Sequence, residues 1–458
     1  MIVMKFGGSS VATAERIRRV AEIVTTQLSE RPALVLSAMG DTTDHLLEAA
    51  DAALKDGAVS IEAIVGLHRS AMAELSLGDR DAAELESLLE ELRSLLTGIA
   101  LIKELSDKTR DYLVSFGERL SVRLVAAYLN AAGVKARAMD GWDAGLLSDS
   151  NHAFAELDEE SWNRVPIALT PLMDEGVLPV ITGFIAKDRR GNITTLGRVG
   201  SDLSATFIAA AMGAAEVQVW KDVDGIMTAD PRLVKAARPV ETVSYEEAAE
   251  LAYFGAQVLH PRAMQPCIKT NTTVRVKNSY NPQARGTRIV AVADQKAGPV
   301  RAITSRKNIT LVDIVSTRMV GQHGFLAEVF AAFANHKLSV DVVATSEVSI
   351  SLTLDAAHDL EKLRRDLSKI ADVEIKTGKA IVTIIGDVRR SSEILQRAFG
   401  TCVLLGVQIQ MVSQGASKVN ISFIVDGAEA GEVVAALHQR FFEPLVPEHP
   451  LAIRELSV

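Results

Sequence analysis

Lys5, Arg198 and Asp202 are the side chains of this 458-residue chain whose types and surroundings best suit chemistry. Lys5-Phe6-Gly7-Gly8-Ser9-Ser10 follows the apolar run Met1-Ile2-Val3-Met4. Thr194-Thr195-Leu196-Gly197-Arg198-Val199-Gly200-Ser201-Asp202 precedes an Ala-rich helical pattern. A strand that delivers a lysine to a sheet edge, followed by two glycines, lets backbone N–H groups come close to an anion. The second segment reads as a helix mouth, where unsatisfied N–H groups and the helix dipole favour negative charge. Charged side chains beside two such anion-binding stretches are what phosphoryl transfer to a small molecule requires. Neither GxxxxGK[ST] nor GxGxxG occurs, so neither the P-loop nor the dinucleotide fingerprint carries the chemistry.

The elements that must position these residues alternate between short apolar runs and longer helical patterns. Met1 to Met4, Ala33 to Leu36, Val177 to Thr182 and Glu216 to Trp220 read as buried strands. Ile17, Val20 and Val24 form a helical stripe, and the pattern from about Leu46 to Leu113 is helical, its acidic residues read as solvated faces. Strands separated by helices imply an α/β fold with a mostly parallel sheet sandwiched by helices. A polar connector falls at Asp294 to Pro299. After it the strand and helix pattern of residues 310–376 repeats over 381–441, giving two successive ferredoxin-like units. The expected boundaries are a catalytic domain over 1–293 and two smaller α+β domains over 300–377 and 378–458.

Composition narrows the setting. The chain is 48% hydrophobic and 23% charged, with a net charge of -9 that gives no support to nucleic-acid binding. No apolar run approaches a membrane span, and Lys5 interrupts the opening apolar stretch too early for a signal peptide. The two cysteines, Cys267 and Cys402, form no CxxC, so neither a disulfide framework nor a zinc site is expected. A cytoplasmic location is the expectation.

Five further motifs join the first two, making seven in a fixed order. They are Lys5 to Val11, Ser37 to Asp44, Ser115 to Ser121, Thr194 to Asp202, Trp220 to Gly225, Asp230-Pro231-Arg232, and Phe254 to Pro261. In that order they resemble the aspartate kinase family of the amino-acid kinase superfamily, and the C-terminal repeats resemble its paired ACT regulatory domains. Gln218 to Gly225 together with Gln257 is similar to the plant-type branch. The resemblance implies ATP-dependent phosphorylation of the β-carboxylate of L-aspartate, at the head of lysine, threonine and methionine synthesis. It implies Lys5 and Asp202 as catalytic residues, the first on the transferring phosphoryl group and the second orienting it. Ser37, Thr43, Glu118, Arg198 and Ser201 would bind aspartate, Arg198 on the α-carboxylate and Glu118 on the α-ammonium. Lys5, Gly7, Gly8, Ser9, Lys221, Asp222, Met227, Arg232 and Gln257 would bind ATP, with Mg²⁺ held mainly by the nucleotide phosphates. Met227 and Gln257 stand where some relatives carry an aromatic residue and a lysine. Val199 stands where the family pattern has glycine. If that backbone needs φ > 0, the valine costs on the order of 1–2 kcal/mol.

In the first ACT-like copy, Met319, Gln322, Gly324, Phe325, Leu326, Val340, Asp341, Ser346 and Glu347 match the family's effector-binding segments. The resemblance makes lysine the expected effector, with its ammonium on Asp341 and Glu347, and implies a homodimer formed through the ACT domains. A purely dimerising role for these domains stays open, as do threonine or S-adenosylmethionine as effector. Two other readings also stay open at this point: a kinase of another acid or of a nucleotide, and a sensor without catalysis.

Overall fold

Strand β1 (Ile2–Phe6) is buried along its whole length, and the rest of the first unit is arranged around it. The structure, a computed structural model, describes residues 1–254, 259–293, 298–319, 323–355, 360–414 and 419–443. The chain divides into two units, the first made of Met1–Ile226, Glu241–Ala248 and Val258–Ala293, and the second of Met227–Val240, Ala249–Gln257 and Asp294–Val458.

In the first unit β1 is flanked in parallel by β2 (Pro32–Leu36) and β8 (Glu216–Lys221). The remaining strands are β3 (Ala136–Met139), β5 (Leu178–Thr182), β9 (Thr242–Ser244), β10 (Thr273–Asn278) and β11 (Thr287–Val290). They complete the order β3-β5-β2-β1-β8-β10-β11-β9, parallel throughout except for the β10–β11 pair. A small second sheet joins β4 (Leu147–Ser148), β6 (Ile185–Asp188) and β7 (Ile193–Thr195). Both faces of the main sheet are covered, which is why its strands are apolar without alternation. Ile2, Met4 and Phe6 pack into one cluster with α1 (Ala14–Thr25), α2 (Thr42–Asp56), α3 (Glu62–Glu74), α4 (Asp79–Ile102) and α5 (Asp107–Ala131). The alternate residues Val3 and Lys5 face the other side, against α7 (Gly200–Ala211), with α6 (Ser161–Asp174) and α9 (Pro261–Thr270) in that layer. The helical pattern of 46–113 proves to be four helices: Gly57 and Lys103, both left-handed, end α2 and α4. His260 is the N-cap of α9, its ring accepting the Arg262 N–H.

The second unit carries one six-stranded sheet. Its strands are β12 (Val300–Val315), β13 (Val340–Thr345), β14 (Ser349–Asp355), β15 (Asp372–Gly386), β16 (Met411–Ser413) and β17 (Asn420–Asp426), in the order β13-β14-β12-β15-β17-β16. Helices α10 (Phe325–Asn335) and α11 (Leu360–Leu367) share a core with the first copy, and α12 (Ser391–Leu405) and α13 (Ala430–Phe442) with the second. The copies are nested rather than successive. The start of β12, Ala302–Lys307, pairs with the end of β15, Ala380–Ile385, and so belongs to the second copy. The end of β12 and the start of β15, Val312–Val315 on Asp372–Ile375, serve the first. Helix α8 (Tyr245–Tyr253) runs from the first unit's residues into the second's.

Candidate active site

Parallel strands leave their functional side chains at their carboxyl ends, and a crevice opens where neighbouring connections diverge. From β1 the chain passes to β2 on one side, while β8 flanks the other, so Lys5, next to last in β1, stands at such a point. The loop after β2 supplies Ser37 and leads to Thr43 in α2. It lies close against both of its neighbours. A Cβ on Gly117 of α5 would lie 2.8 Å from the Ala38 Cβ, and one on Gly8 would lie 2.8 Å from the Ala38 carbonyl oxygen. Glycine at 117 thus brings α5 near enough for Glu118 Oε1 to accept the Ala38 N–H at 3.1 Å. The glycines after β1 are followed not by a long helix but by a 3-10 turn over Gly8–Val11, with α1 starting only at Ala14.

These elements enclose a cavity of about 720 Å³ whose lining includes Lys5, Ser37, Thr43, Glu118, Arg198, Ser201 and Asp202. Every residue expected to bind the acceptor or to act in catalysis therefore meets in one space. Lys5 Nζ lies 2.7 Å from Asp202 Oδ1 in a buried ion pair. Burial pushes the Asp202 carboxyl up, but the Lys5 and Lys221 ammoniums and a hydrogen bond from Lys5 overcome it and hold it below the usual carboxylate range. Lys221, at the end of β8, is pulled below the ordinary ammonium range by burial and by Lys5, with Asp202 and Asp222 opposing. Glu118 is 4% exposed and its Oε2 has no hydrogen-bond partner among the described residues. Burial raises its carboxyl to about 8, against the Ala38 N–H and Lys5. A buried, unsatisfied carboxyl oxygen in a cavity wall fits a cationic ligand group. The exposed Arg198 points no hydrogen bond or ion pair at any described residue, which fits a fork awaiting a carboxylate. Val199, the N-cap of α7, has φ 60° and ψ 19°. The left-handed backbone that made valine costly there is thus present.

The amino acid kinase family matches residues 1–278, and the ACT domain family matches residues 312–365 and 382–441. Aspartokinase 1, chloroplastic, of Arabidopsis thaliana is 49% identical over 96% of this chain and 80% of its own length. Among solved structures, Escherichia coli aspartokinase III in complex with lysine and aspartate (T-state) superposes with a TM-score of 0.82 at 35% identity, covering 97% of this chain and all of that one. The same enzyme in complex with aspartate and ADP (R-state) gives 0.77 at the same identity and coverage. The chain belongs to the aspartokinase family.

The residues expected to bind nucleotide are distributed across both units. Lys5, Gly7, Gly8, Ser9, Lys221 and Asp222 lie in the first, while Met227 and Arg232 lie in a segment, Met227–Val240, that packs with the second. There Ala229 and Val234 enter the core of the second ACT copy, and Met227 forms a bridge with Pro239. The Arg232 guanidinium is exposed and forks onto Asp230. Gln257 is outside the described residues. Of the effector positions expected for an aspartokinase, Gln322 also lies outside them. Met319 precedes α10, Gly324 caps that helix at φ 88°, and Phe325 and Leu326 open it. Val340 and Asp341 begin β13, while Ser346 and Glu347 are exposed in the turn after it. Asp341 already has partners: it accepts the Tyr253 hydroxyl at 2.7 Å and Arg306 Nη2 at 3.2 Å.

Sequence reasoning missed Asp111. It fell in the stretch read as solvated acidic faces, yet it is 1% exposed and lines the cavity. The signal that would have found it is its spacing, seven residues before Glu118, which sets both on one face of α5.

Proposed function

We infer that this chain transfers the γ-phosphoryl group of ATP to the β-carboxylate of L-aspartate, giving 4-phospho-L-aspartate, and that lysine bound to the first ACT copy slows it. The observation that carries the reading is the convergence of the Lys5–Asp202 pair, the unsatisfied Glu118 oxygen and the unpaired Arg198 on one cavity, in a chain with aspartokinase relatives over nearly its whole length. The β-carboxylate has an ordinary pKa near 3.9 and is an anion at neutral pH, so no general base is needed. The barrier is the approach of two anions, and the protein lowers it by positioning and by fixed positive charge. Arg198 and Glu118 would hold the α-carboxylate and α-ammonium, leaving the β-carboxylate to face Lys5. Asp202 holds Lys5 in place, while the second ammonium, Lys221, adds to the field on the phosphates. Mg²⁺ carried by the nucleotide phosphates supplies further charge neutralisation; Asp202, the acidic group beside Lys5, is already committed to that lysine.

For regulation, Gly324 at the mouth of α10 suits an effector carboxylate, and Asp341 an ammonium that competes with Arg306. We assign the half-exposed Leu326 and Phe330 of α10, together with the edge strand β13, to a second copy of the chain in a homodimer. Two free, buried cysteines fit a reducing cytoplasm, and no helix of the described residues is long and apolar enough to cross a membrane. Trapping the acyl phosphate with hydroxylamine, using ATP with L-aspartate, glutamate or acetylglutamate, tests the reaction. Turnover of L-aspartate alone, reduced by added lysine, is the expected result. Turnover of another acid in its place would refute the assignment.

A further inference from the structure

Asp111 takes hydrogen bonds from two separate loops at once. Its Oδ1 accepts the Thr195 hydroxyl at 2.6 Å, its two oxygens share the Ala153 N–H at 3.2 and 3.0 Å, and its Oδ2 meets His152 Nδ1 at 2.9 Å. Thr195 ends β7 and stands three residues before Arg198. Ala153 and Phe154 form the facing wall: a Cβ on Gly197 would lie 2.8 Å from Phe154 Cδ1 and 3.0 Å from the Ala153 carbonyl oxygen. Arg262 joins the same two loops from another side, donating to the Leu196 carbonyl at 2.7 Å and the Ala155 carbonyl at 3.1 Å. The Ala155 N–H in turn donates to the Thr195 carbonyl at 2.9 Å.

The loop held this way is strained and its guanidinium is unanchored. Ala153, Gly197 and Val199 have φ of 70°, 70° and 60°, and all three line the cavity. Non-glycine residues keep such angles only where their surroundings over-determine them. No described side chain fixes the direction of Arg198, so the backbone of 195–199 must do so.

We propose that Asp111, acting with Arg262, is a positioning residue for the acceptor site: it locks the Thr195–Val199 loop so that Arg198 meets the α-carboxylate of the amino acid. The proposal rests on the reading of Arg198 as the carboxylate fork. Asp111 does this without touching the reacting groups, because both its oxygens are already engaged by protein donors. A carboxylate suits the place because it only accepts, whereas an amide would turn an N–H toward one of these donors.

The test is steady-state kinetics on the full-length chain with L-aspartate and ATP, comparing wild type, Asp111→Ala, Asp111→Asn, Arg198→Ala and the Asp111→Ala/Arg198→Ala double variant. Asp111→Ala is expected to lower kcat/KM for aspartate about 10- to 100-fold, the scale of a displacement of about 1 Å, with KM for ATP within about twofold. Asp111→Asn, which keeps an acceptor for Thr195, should fall between Ala and wild type. In the Arg198→Ala background the same Asp111→Ala change should cost no more than about twofold, because its effect runs through the arginine. Fully additive losses, or equal losses toward both substrates, would overturn the proposal. If Asp111→Ala does not fold, Thr195→Val removes one of the donors at nearly constant shape and enters the same cycle, with a smaller loss in the same direction expected. An Arg198→Ala protein with unchanged KM for aspartate would instead reject the fork itself, so the two failures are distinct.

Discussion

With Glu118 as the proposed partner of the α-ammonium, aspartate binding becomes a proton-linked event, and the size of the linkage follows from the surroundings of that carboxyl. Burial lifts its carboxyl to about 8 from the ordinary 4.5, even with the Ala38 N–H and Lys5 favouring the charged form. At pH 7 about one molecule in ten then carries the carboxylate in the ligand-free site. An α-ammonium needs that carboxylate, so binding at pH 7 should release about 0.9 proton, and the apparent affinity is weaker by about tenfold, about 1.4 kcal/mol, than at high pH. The sign is fixed: affinity for aspartate tightens about tenfold per unit as pH rises toward 8 and levels off above it. Isothermal titration in buffers of different ionisation enthalpy reads the proton count directly. Glu118→Gln retains an acceptor for the Ala38 N–H at 3.1 Å but cannot titrate, so it should bind aspartate weakly at every pH and show no buffer dependence. The folded state shows the same linkage. Because the folded value lies above the unfolded one, the group's contribution is complete below pH 4.5 and is lost as pH rises through about 8. Without aspartate, Glu118→Gln should therefore unfold at a higher temperature than wild type at pH 8.5, and at nearly the same temperature at pH 4.5. Titration enthalpies that do not depend on buffer, together with a KM for aspartate that is flat from pH 6 to 8, would refute the reasoning.

Replacing Asp202 by Asn leaves the Lys5 and Lys221 ammoniums without their shared counter-charge, and kcat in the hydroxylamine assay should fall on the order of 10²-fold with KM for aspartate changed little. Val199→Gly removes a β-branched residue from φ 60° and should lower KM for aspartate a few-fold by letting the Arg198 loop relax; unchanged constants would show that the loop tolerates the side chain. Tyr253→Phe frees one acceptor position on Asp341, so inhibition by lysine should set in at a concentration about 2- to 10-fold lower, with the uninhibited kcat unchanged. A midpoint that stays put or rises would place Asp341 outside the effector site.

What the sequence could and could not reveal divides along a physical line. Residues 1–4, 33–36 and 216–220 announce themselves as strands because a sheet covered on both faces must be apolar at every position, a property written locally. Lys5, Ser37, Thr43, Glu118, Arg198, Ser201 and Asp202 were nameable because each sits in a recognisable motif, although their motifs are scattered over nearly 200 residues and only the fold brings them to one cavity. Partner choice is not written locally. The alternation in β12 and β15 says that both are strands, but not that one half of each belongs to one ACT copy and the other half to the other, so nested copies read as tandem ones. The segment Met227–Val240 looks like part of the catalytic sequence, yet Thr228 is bonded to the buried His438 of α13 at 2.9 Å and its carbonyl accepts the Ile303 N–H at 2.8 Å. Nothing near residue 228 in sequence could indicate a partner 210 positions away. Asp111 fails to stand out for the same reason: its donors lie 41 to 84 residues downstream, and an aspartate on a helix is by default a solvated one. The positions a local reading misses are thus those where a polar side chain is satisfied by groups far away in sequence. In this chain they also hold the Thr195–Val199 loop and the Met227–Val240 segment, so substitution there should reach activity through geometry before it reaches any reacting atom.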